Sequence, residues 1–375
     1  MERVLILITS LDRGGAETMI MNYYRHMDRS KVQFDFLVNR PQEGAYEKEI
    51  RELGGRIYRM GPMYPLQFHK YKKDFRNFLR QHPEYRIIHS HLEERSYFPL
   101  RIAKEEGIPV RIAHAHAEYH GFNAKKIFRD YFRFRLKPYP THCFTCSVSA
   151  ARWLYGNKIV DENKFTIIPN AIDSKKYRYS KDVRDKIREE LGIGDDTLLL
   201  GTVGRLSAEK NQEFLFDVLK ELLDAGHNAK LLLVGDGPER TPLEEAAETL
   251  GIQDQVIFTG SVPNVPDYLQ AMDVFMFPSF NEGLGMALIE AQAGGLPSIA
   301  SNTVPRAANI SGTVEYLPID NAHTWADAIQ KMKAGVRIPV PENLLSSCGF
   351  EIQEEANKLQ DFYLTALEPG NQNHS

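Results

Sequence analysis

Val274-Phe275-Met276-Phe277-Pro278, followed by Glu282-Gly283-Leu284-Gly285-Met286-Ala287-Leu288-Ile289-Glu290, decides how the rest of the chain is read. The first run reads as a buried strand that stops at a proline. Two glycines then lead into an apolar helix. Glu282 therefore falls on a strand-to-helix loop, and Glu290 lies about one turn into the helix. Between them the helix start offers unpaired backbone N–H groups and a partial positive charge, which together make an anion site. A loop carboxylate, a nest of N–H groups sized for phosphate and a second carboxylate can hold a sugar, a diphosphate and a ribose in a row. The same residues also fit a capped surface helix with ordinary acidic residues, so the wider pattern has to decide.

That pattern is strand–helix alternation on both sides. In the second half, strands are expected at Leu198–Val203, Lys230–Val234, Gln255–Phe258, Val274–Phe277 and Ser298–Ala300, with helices at Gln212–Ala225, Pro242–Leu250, Met286–Ala293 and Ala322–Lys333. The first half repeats the scheme. Its expected strands are Arg3–Thr9, Gln33–Val38, Arg56–Met60, Arg86–Ser90, Arg111–Ala115, Cys143–Val148 and Phe165–Ile168, with helices such as Ala16–Met27 and Tyr97–Glu106. Alternation of this kind means parallel sheets with helices on both faces. At 375 residues the chain is long for one core, so the expectation is an α/β protein of two Rossmann-like domains facing across a cleft. The expected boundaries are 1–170, 171–350, a last helix at 351–367 crossing back to the first domain, and a disordered tail at 368–375.

Net charge is −4, but it is unevenly placed. Residues 1–180 hold 32 Lys+Arg against 20 Asp+Glu, and the remainder hold 14 against 30. A basic half points to an anionic partner: a membrane surface, a nucleic acid or a phosphorylated substrate. Nothing resembles a recognition helix, so no nucleic acid is expected. No apolar run reaches the ~18 residues of a membrane span. Met1-Glu2-Arg3-Val4-Leu5 runs straight into a strand pattern, so no secretory signal is expected and the cytoplasm is the expected compartment. Three cysteines do not make a disulfide scaffold. Cys143 and Cys146 form a C-x-x-C, but on an expected strand rather than at the helix start where redox pairs sit, and no second pair completes a zinc site.

In open parallel sheets ligands sit at the carboxyl ends of strands. After the first strand come Gly14, Gly15, Ala16 and Glu17, glycines that let backbone approach a ligand at a helix start. They do not form the dinucleotide fingerprint, so a nicotinamide cofactor is not expected. After Leu198–Val203 come Gly204, Arg205, Lys210 and Asn211, where a planar guanidinium and an ammonium can converge on one phosphate. After the next strand come Gly235-Asp236-Gly237-Pro238, and after Phe258 a turn that includes Val262, whose backbone can read a base edge. His89 and His91 end one strand, and His114 and His116 end another. A period of two sends each pair to a single sheet face. Four histidines invite a metal, but no carboxylate accompanies them at ligand spacing. One of them as a hydrogen-bonding or proton-handling group at the cleft is the expected role. In Lys125–Lys137, Ile127, Phe128, Tyr131, Phe132 and Phe134 share one helical arc, and Lys125, Lys126, Arg129, Arg133 and Lys137 the other. Such a helix can lie on an anionic bilayer or pack on its own domain.

Gly14-Gly15-Ala16-Glu17, His116, Gly204-Arg205…Lys210-Asn211, Val234–Pro238 and Glu282…Glu290 occur in this order across nearly the whole chain. Together they resemble the retaining glycosyltransferases of family 4, with the GT-B fold. Gly14–Asn22 and the His-x-His after Arg111–Ala115 are most similar to the EpsF-type transferases of bacterial exopolysaccharide and capsular polysaccharide synthesis. The resemblance implies transfer of a sugar from a nucleotide-sugar, UDP rather than GDP, to a lipid-linked or saccharide acceptor with retained anomeric configuration. It implies that Arg205 and Lys210 neutralise the leaving diphosphate, helped by N–H groups of Gly15, Gly283, Leu284 and Gly285. Glu290 would accept the ribose hydroxyls, Glu282 would meet the donor sugar, and His116 would lie near the sugar and acceptor. No metal and no other cofactor are implied, since cations and helix termini stand in for one. The chain departs from the family pattern at Ala171, at Ser301–Pro305 and at Gly283, which bears on the donor sugar's identity more than on the reaction. A nucleotide-sugar 2-epimerase-like enzyme on the same fold and a non-catalytic GT-B partner protein are the competing readings.

Overall fold

The computed structural model describes residues 1–63, 67–116, 124–333 and 335–368. The chain divides into two compact units, Met1–Ile172 with Gly349–Ser375, and Asp173–Cys348. The crossings fall after Ile172 and Cys348, where the sequence reading set them after 170 and 350.

In the first unit, strands β1 (Glu2–Ile8), β2 (Val32–Val38), β3 (Ile57–Arg59), β4 (Ile87–Ser90), β5 (Val110–Ala115), β6 (His142–Thr145) and β7 (Thr166–Ile167) form one parallel sheet, ordered β3-β2-β1-β4-β5-β6-β7. In the second, β8 (Leu198–Val203), β9 (Ala229–Val234), β10 (Val256–Gly260), β11 (Val274–Phe277), β12 (Ser298–Ser301) and β13 (Glu315–Leu317) form another, ordered β10-β9-β8-β11-β12-β13. Both are α/β sheets of Rossmann type. The strand order reverses between β1 and β4, and again between β8 and β11, which marks those strand ends as the ligand-binding positions. The helices that frame them are α1 (Gly15–His26), α2 (Ala124–Leu136), α3 (Val148–Tyr155), α4 (Ser174–Tyr177), α5 (Met286–Ala293) and α6 (Ile352–Thr365).

The apolar runs follow from burial on both sheet faces. Along β1, Val4, Ile6 and Ile8 pack against α1 and α6, while Leu5 and Leu7 face a second cluster on the opposite side. On α6, Ile352, Ala356, Leu359 and Tyr363 are buried, a helical stripe at the 3.6-residue period. The start of β11 is pinned from inside. Asp273 accepts from Arg184 Nη2 at 2.6 Å, Arg188 Nη1 at 3.3 Å and the N–H groups of Leu199 and Gly335, each at 2.8 Å.

One expectation needs correcting, and one strand was missed. The strand read over Cys143–Val148 ends at Thr145, because Ser147 caps α3, its Oγ accepting the Ala150 N–H at 3.2 Å. Cys146 therefore sits just before a helix rather than on a strand. β13 was not foreseen: three residues of Glu-Tyr-Leu carry too short a pattern to stand out.

Candidate active site

In the second unit the loops after β8 and β11 are joined into one surface. Asn211, at φ 53, lies in the left-handed region that asparagine tolerates, and its Nδ2 donates to Pro278 O at 3.3 Å. The Phe280 N–H donates to Glu209 O at 2.9 Å. Lys210 Nζ meets Glu282 Oε1 at 2.5 Å, and Ser279 Oγ donates to the same oxygen at 2.7 Å. Glu282 is 9% exposed and Lys210 26%. Thr303 Oγ1 donates to Ser279 O at 2.6 Å, and Gln212 Nε2 to Arg205 O at 2.9 Å.

Gly285 caps the start of helix α5, at a φ of 95° that only glycine adopts freely. Among the described residues, the backbone N–H groups of Gly283, Leu284, Gly285 and Met286 donate to no acceptor of the chain. A turn of open donors at a helix N-terminus attracts an anion. The structure thus brings Lys210, Glu282 and this nest together, while Arg205 is exposed and, among the described residues, has no ion-pair partner.

Gly235 has a packing reason of its own, whereas a Cβ at Gly204 would meet nothing. Gly235 has φ 141°, and a Cβ there would strike the carbonyl of Gly204. Gly237 similarly lies against the carbonyl of Leu206. Close approach here is between two loops rather than toward open space. Val262 is half-buried in the loop that follows β10. Glu290 projects from α5 toward Tyr177 of α4, whose hydroxyl bonds it, and burial pushes its carboxyl up to about 7.

In the first unit, Gly14 caps α1 and Gly15 opens it; a Cβ at Gly15 would meet nothing. The spacing of two puts each histidine pair on one face, and the β4–β5 register puts both pairs on the same face, where the four rings stack. Ring centroids lie 4.2 Å apart for His89–His91 and for His114–His116. His89 bonds Tyr363 Oη through Nδ1 at 2.6 Å and His114 through Nε2 at 3.0 Å. His91 Nδ1 and His116 Nε2 share a hydrogen bond of 2.6 Å. Burial pushes His116 down to about 4, and the other three rings fall well below the ordinary histidine range for the same reason. All four are neutral at pH 7. His89, His91 and His114 offer ligand atoms within 4.8 Å of one another. A metal there would have to displace one of the bonds of His89, whose two nitrogens are both committed. Cys143 and Cys146 are buried enough that their thiols are pushed up to about 12 and about 11, so neither is a ready thiolate.

The arcs expected on the basic helix do not survive intact. Phe132 and Leu136 of α2 are buried and Phe128 packs on the same core, whereas Ile127, Tyr131 and Phe134 are exposed at 68%, 55% and 70%. The apolar arc is too wide for one contact and splits between the core and the surface. Arg133 stacks over the Trp153 ring at 4.7 Å and pairs with Asp130 at 2.9 Å, and Lys126 pairs with Asp130 at 2.5 Å. Arg129 is half-buried and Lys137 exposed; the side chain of Lys125 lies outside the described residues. Among the described residues no helix is long and apolar enough to cross a membrane.

Ser279, Thr303, Gln212 and Tyr177 went unread in the sequence. Thr303 belongs to the segment that departs from the family pattern, which was the available signal. The others are single polar residues whose partners are distant in the chain.

Two Rossmann-like units, each a parallel sheet with a switch point, are the architecture of a GT-B glycosyltransferase. Residues 13–176 match the model of Glycosyltransferase Family 4, and residues 183–335 that of Glycosyl transferases group 1. The chain is 33% identical over 378 residues to the putative glycosyltransferase EpsF of Bacillus subtilis, covering 98% of this chain and 97% of that one. It belongs to this glycosyltransferase family and is an EpsF-like member of it. A UDP-Gal:alpha-D-GlcNAc-diphosphoundecaprenol alpha-1,3-galactosyltransferase of Escherichia coli is 23% identical over 297 residues, covering 75% and 76% of the two chains. The Anabaena protein Alr3699/HepE, solved with UDP and glucose, superimposes with a TM-score of 0.74 at 18% identity, over 98% of this chain and 100% of that one.

Proposed function

We propose that the protein transfers a hexosyl group from a UDP-sugar to a lipid-linked saccharide, with retention and without a metal, in the assembly of a bacterial exopolysaccharide or capsule at the cytoplasmic face of the membrane. The observation that carries this reading is the Lys210–Glu282 pair beside the open N–H groups of Gly283–Met286. In the step, the bond from the anomeric carbon to the phosphate oxygen breaks and its electrons leave with the diphosphate. A bond from the acceptor oxygen to the anomeric carbon forms, and the acceptor's proton passes to the oxygen of the departing diphosphate. Lys210, Arg205 and the N–H groups supply positive potential where charge builds up on the diphosphate. Glu282, fixed by Lys210 and Ser279, is placed to accept from sugar hydroxyls. Glu290 accepts from ribose hydroxyls, and His116 contributes a neutral ring near the acceptor. The relatives named above support UDP and a lipid diphosphate as the donor and acceptor classes. The exposed Ile127, Tyr131 and Phe134, flanked by Lys126 and Lys137, are the part of the chain suited to a bilayer surface.

The test is UDP release from UDP-hexoses, in EDTA, with and without a lipid-diphosphate saccharide. Acceptor-dependent release that falls at least ~100-fold in Arg205→Ala and Lys210→Ala supports the reading, as loss of a transition-state charge partner does. Turnover that needs no acceptor would favour an epimerase-like enzyme. UDP binding without turnover would favour a non-catalytic partner.

A further inference from the structure

His116 is held by more side chains than its place at the end of β5 requires. Its backbone N–H donates to Glu93 Oε1 at 2.9 Å. Its carbonyl accepts from Cys146 Sγ at 3.1 Å. Its ring Nε2 is bonded to His91 Nδ1 at 2.6 Å. Two segments distant from it in sequence, His91–Glu93 and Cys146, converge on one residue, through both of its main-chain polar groups and one ring nitrogen.

Glu93 does this from an unusual backbone. It follows β4, opens a 3₁₀ turn over Glu93–Ser96 and has φ 51°, the left-handed region that side-chain-bearing residues avoid. It is 8% exposed. A glycine would serve the turn without strain, so the carboxylate is what the position gains by holding a glutamate.

We propose that Glu93 is a positioning residue for the transfer. Together with His91 and Cys146 it sets the place and ring orientation of His116 before substrate arrives. The inference rests on the reading of His116 as a group at the reacting sugar. Glu93 touches no substrate itself; it acts through the main chain of residue 116. Because His91 and His116 are both neutral, their hydrogen bond uses a single proton. A shift of the His116 backbone would break that bond and free the ring to turn.

The experiment compares Glu93→Gly, Glu93→Gln and His116→Ala by steady-state UDP release, thermal melting and the histidine 15N–1H spectrum. Glu93→Gly removes the carboxylate and relieves the backbone, so its melting temperature should match or exceed wild type. Its kcat should fall ~10- to 100-fold with donor KM within about twofold, the scale of a group displaced by about 1 Å. The His116 ring resonances should shift or broaden. Glu93→Gln keeps an oxygen acceptor for the His116 N–H and should restore kcat to within about threefold of wild type, since a neutral acceptor is only moderately weaker than a charged one. Wild-type kcat in Glu93→Gly, or a loss carried by KM alone, would overturn the proposal while leaving the donor site intact. Wild-type turnover in His116→Ala would overturn the role of His116 itself, and the positioning role with it.

Discussion

Removing the ammonium of Lys210 should damage both the fold and the donor site, and the two effects can be separated. In Lys210→Met, Glu282 keeps, among the described residues, only the Ser279 hydroxyl as a partner while 9% exposed. Breaking a fully buried pair costs about 3–5 kcal/mol, and exposed pairs are worth about 0–1. With Lys210 26% exposed, the expected loss is about 1–3 kcal/mol. For a unit of this size that is roughly 3–10 °C in melting temperature. Glu282→Gln alone should cost less, because the remaining lysine can reach water. The double variant Lys210→Met/Glu282→Gln removes both charges and should recover about 1 kcal/mol or more of the loss, a coupling of the size expected for residues in contact. UDP binding, read as the thermal shift at saturating nucleotide, should fail to recover in the double variant. Restored stability without restored binding would confirm that the pair serves both purposes. A double variant no more stable than Lys210→Met would refute the view that these two charges support each other, as would UDP binding at the wild-type level in either lysine variant.

Other outcomes follow from the same geometry. Glu290 has a folded-state pKa raised to about 7 from an ordinary 4.5, so the folded state holds a proton that the unfolded chain has released. Its contribution is present below about 4.5 and lost as pH rises through about 7, by up to about 3 kcal/mol; melting curves of Glu290→Gln should lack this slope. UDP affinity should rise over the same interval as the carboxylate becomes the stronger acceptor for ribose, and Glu290→Gln should flatten it. Asp273→Ala leaves Arg188, 4% exposed, and Arg184, 12% exposed, facing each other without their carboxylate. A loss of about 3–5 kcal/mol by denaturant unfolding is expected. Ile127→Ser/Phe134→Ser should leave the melting temperature within about 2 °C of wild type, because surface changes cost little, but should lower sedimentation with phosphatidylglycerol vesicles.

Much of the architecture was legible because it rests on periodicity. Doubly buried strands such as Leu198–Val203 and Val274–Phe277 read as apolar runs, the glycines at 204 and 235 marked where strands give way to loops, and Gly285 marked the entry to a helix. The histidine stack was half legible: alternation put His89 with His91 and His114 with His116, but the neighbouring register of β4 and β5 that joins the pairs is a tertiary fact. The loop chemistry was less so. That Lys210 would pair with Glu282 depends on β8 and β11 becoming neighbours, which separation of 72 residues in sequence hides. The left-handed backbone at Glu93 has no compositional sign at all, since nothing local favours a glutamate there. The basic helix misled because an amphipathic pattern says which residues avoid water and not how wide the covering surface will be.

The return of α6 to the first unit bears on how the polypeptide is made. Tyr363 of that helix bonds His89 and packs edge-on against Phe34 at 5.8 Å between centroids. On the ribosome, then, residues 1–172 emerge before α6 and lack a wall of their core until Ile352–Thr365 has followed. The inserted unit Asp173–Cys348 can close on itself in the meantime. Nascent chains stalled before residue 352 should show the opposite of the usual N-to-C order: a protease-resistant middle and a digestible beginning.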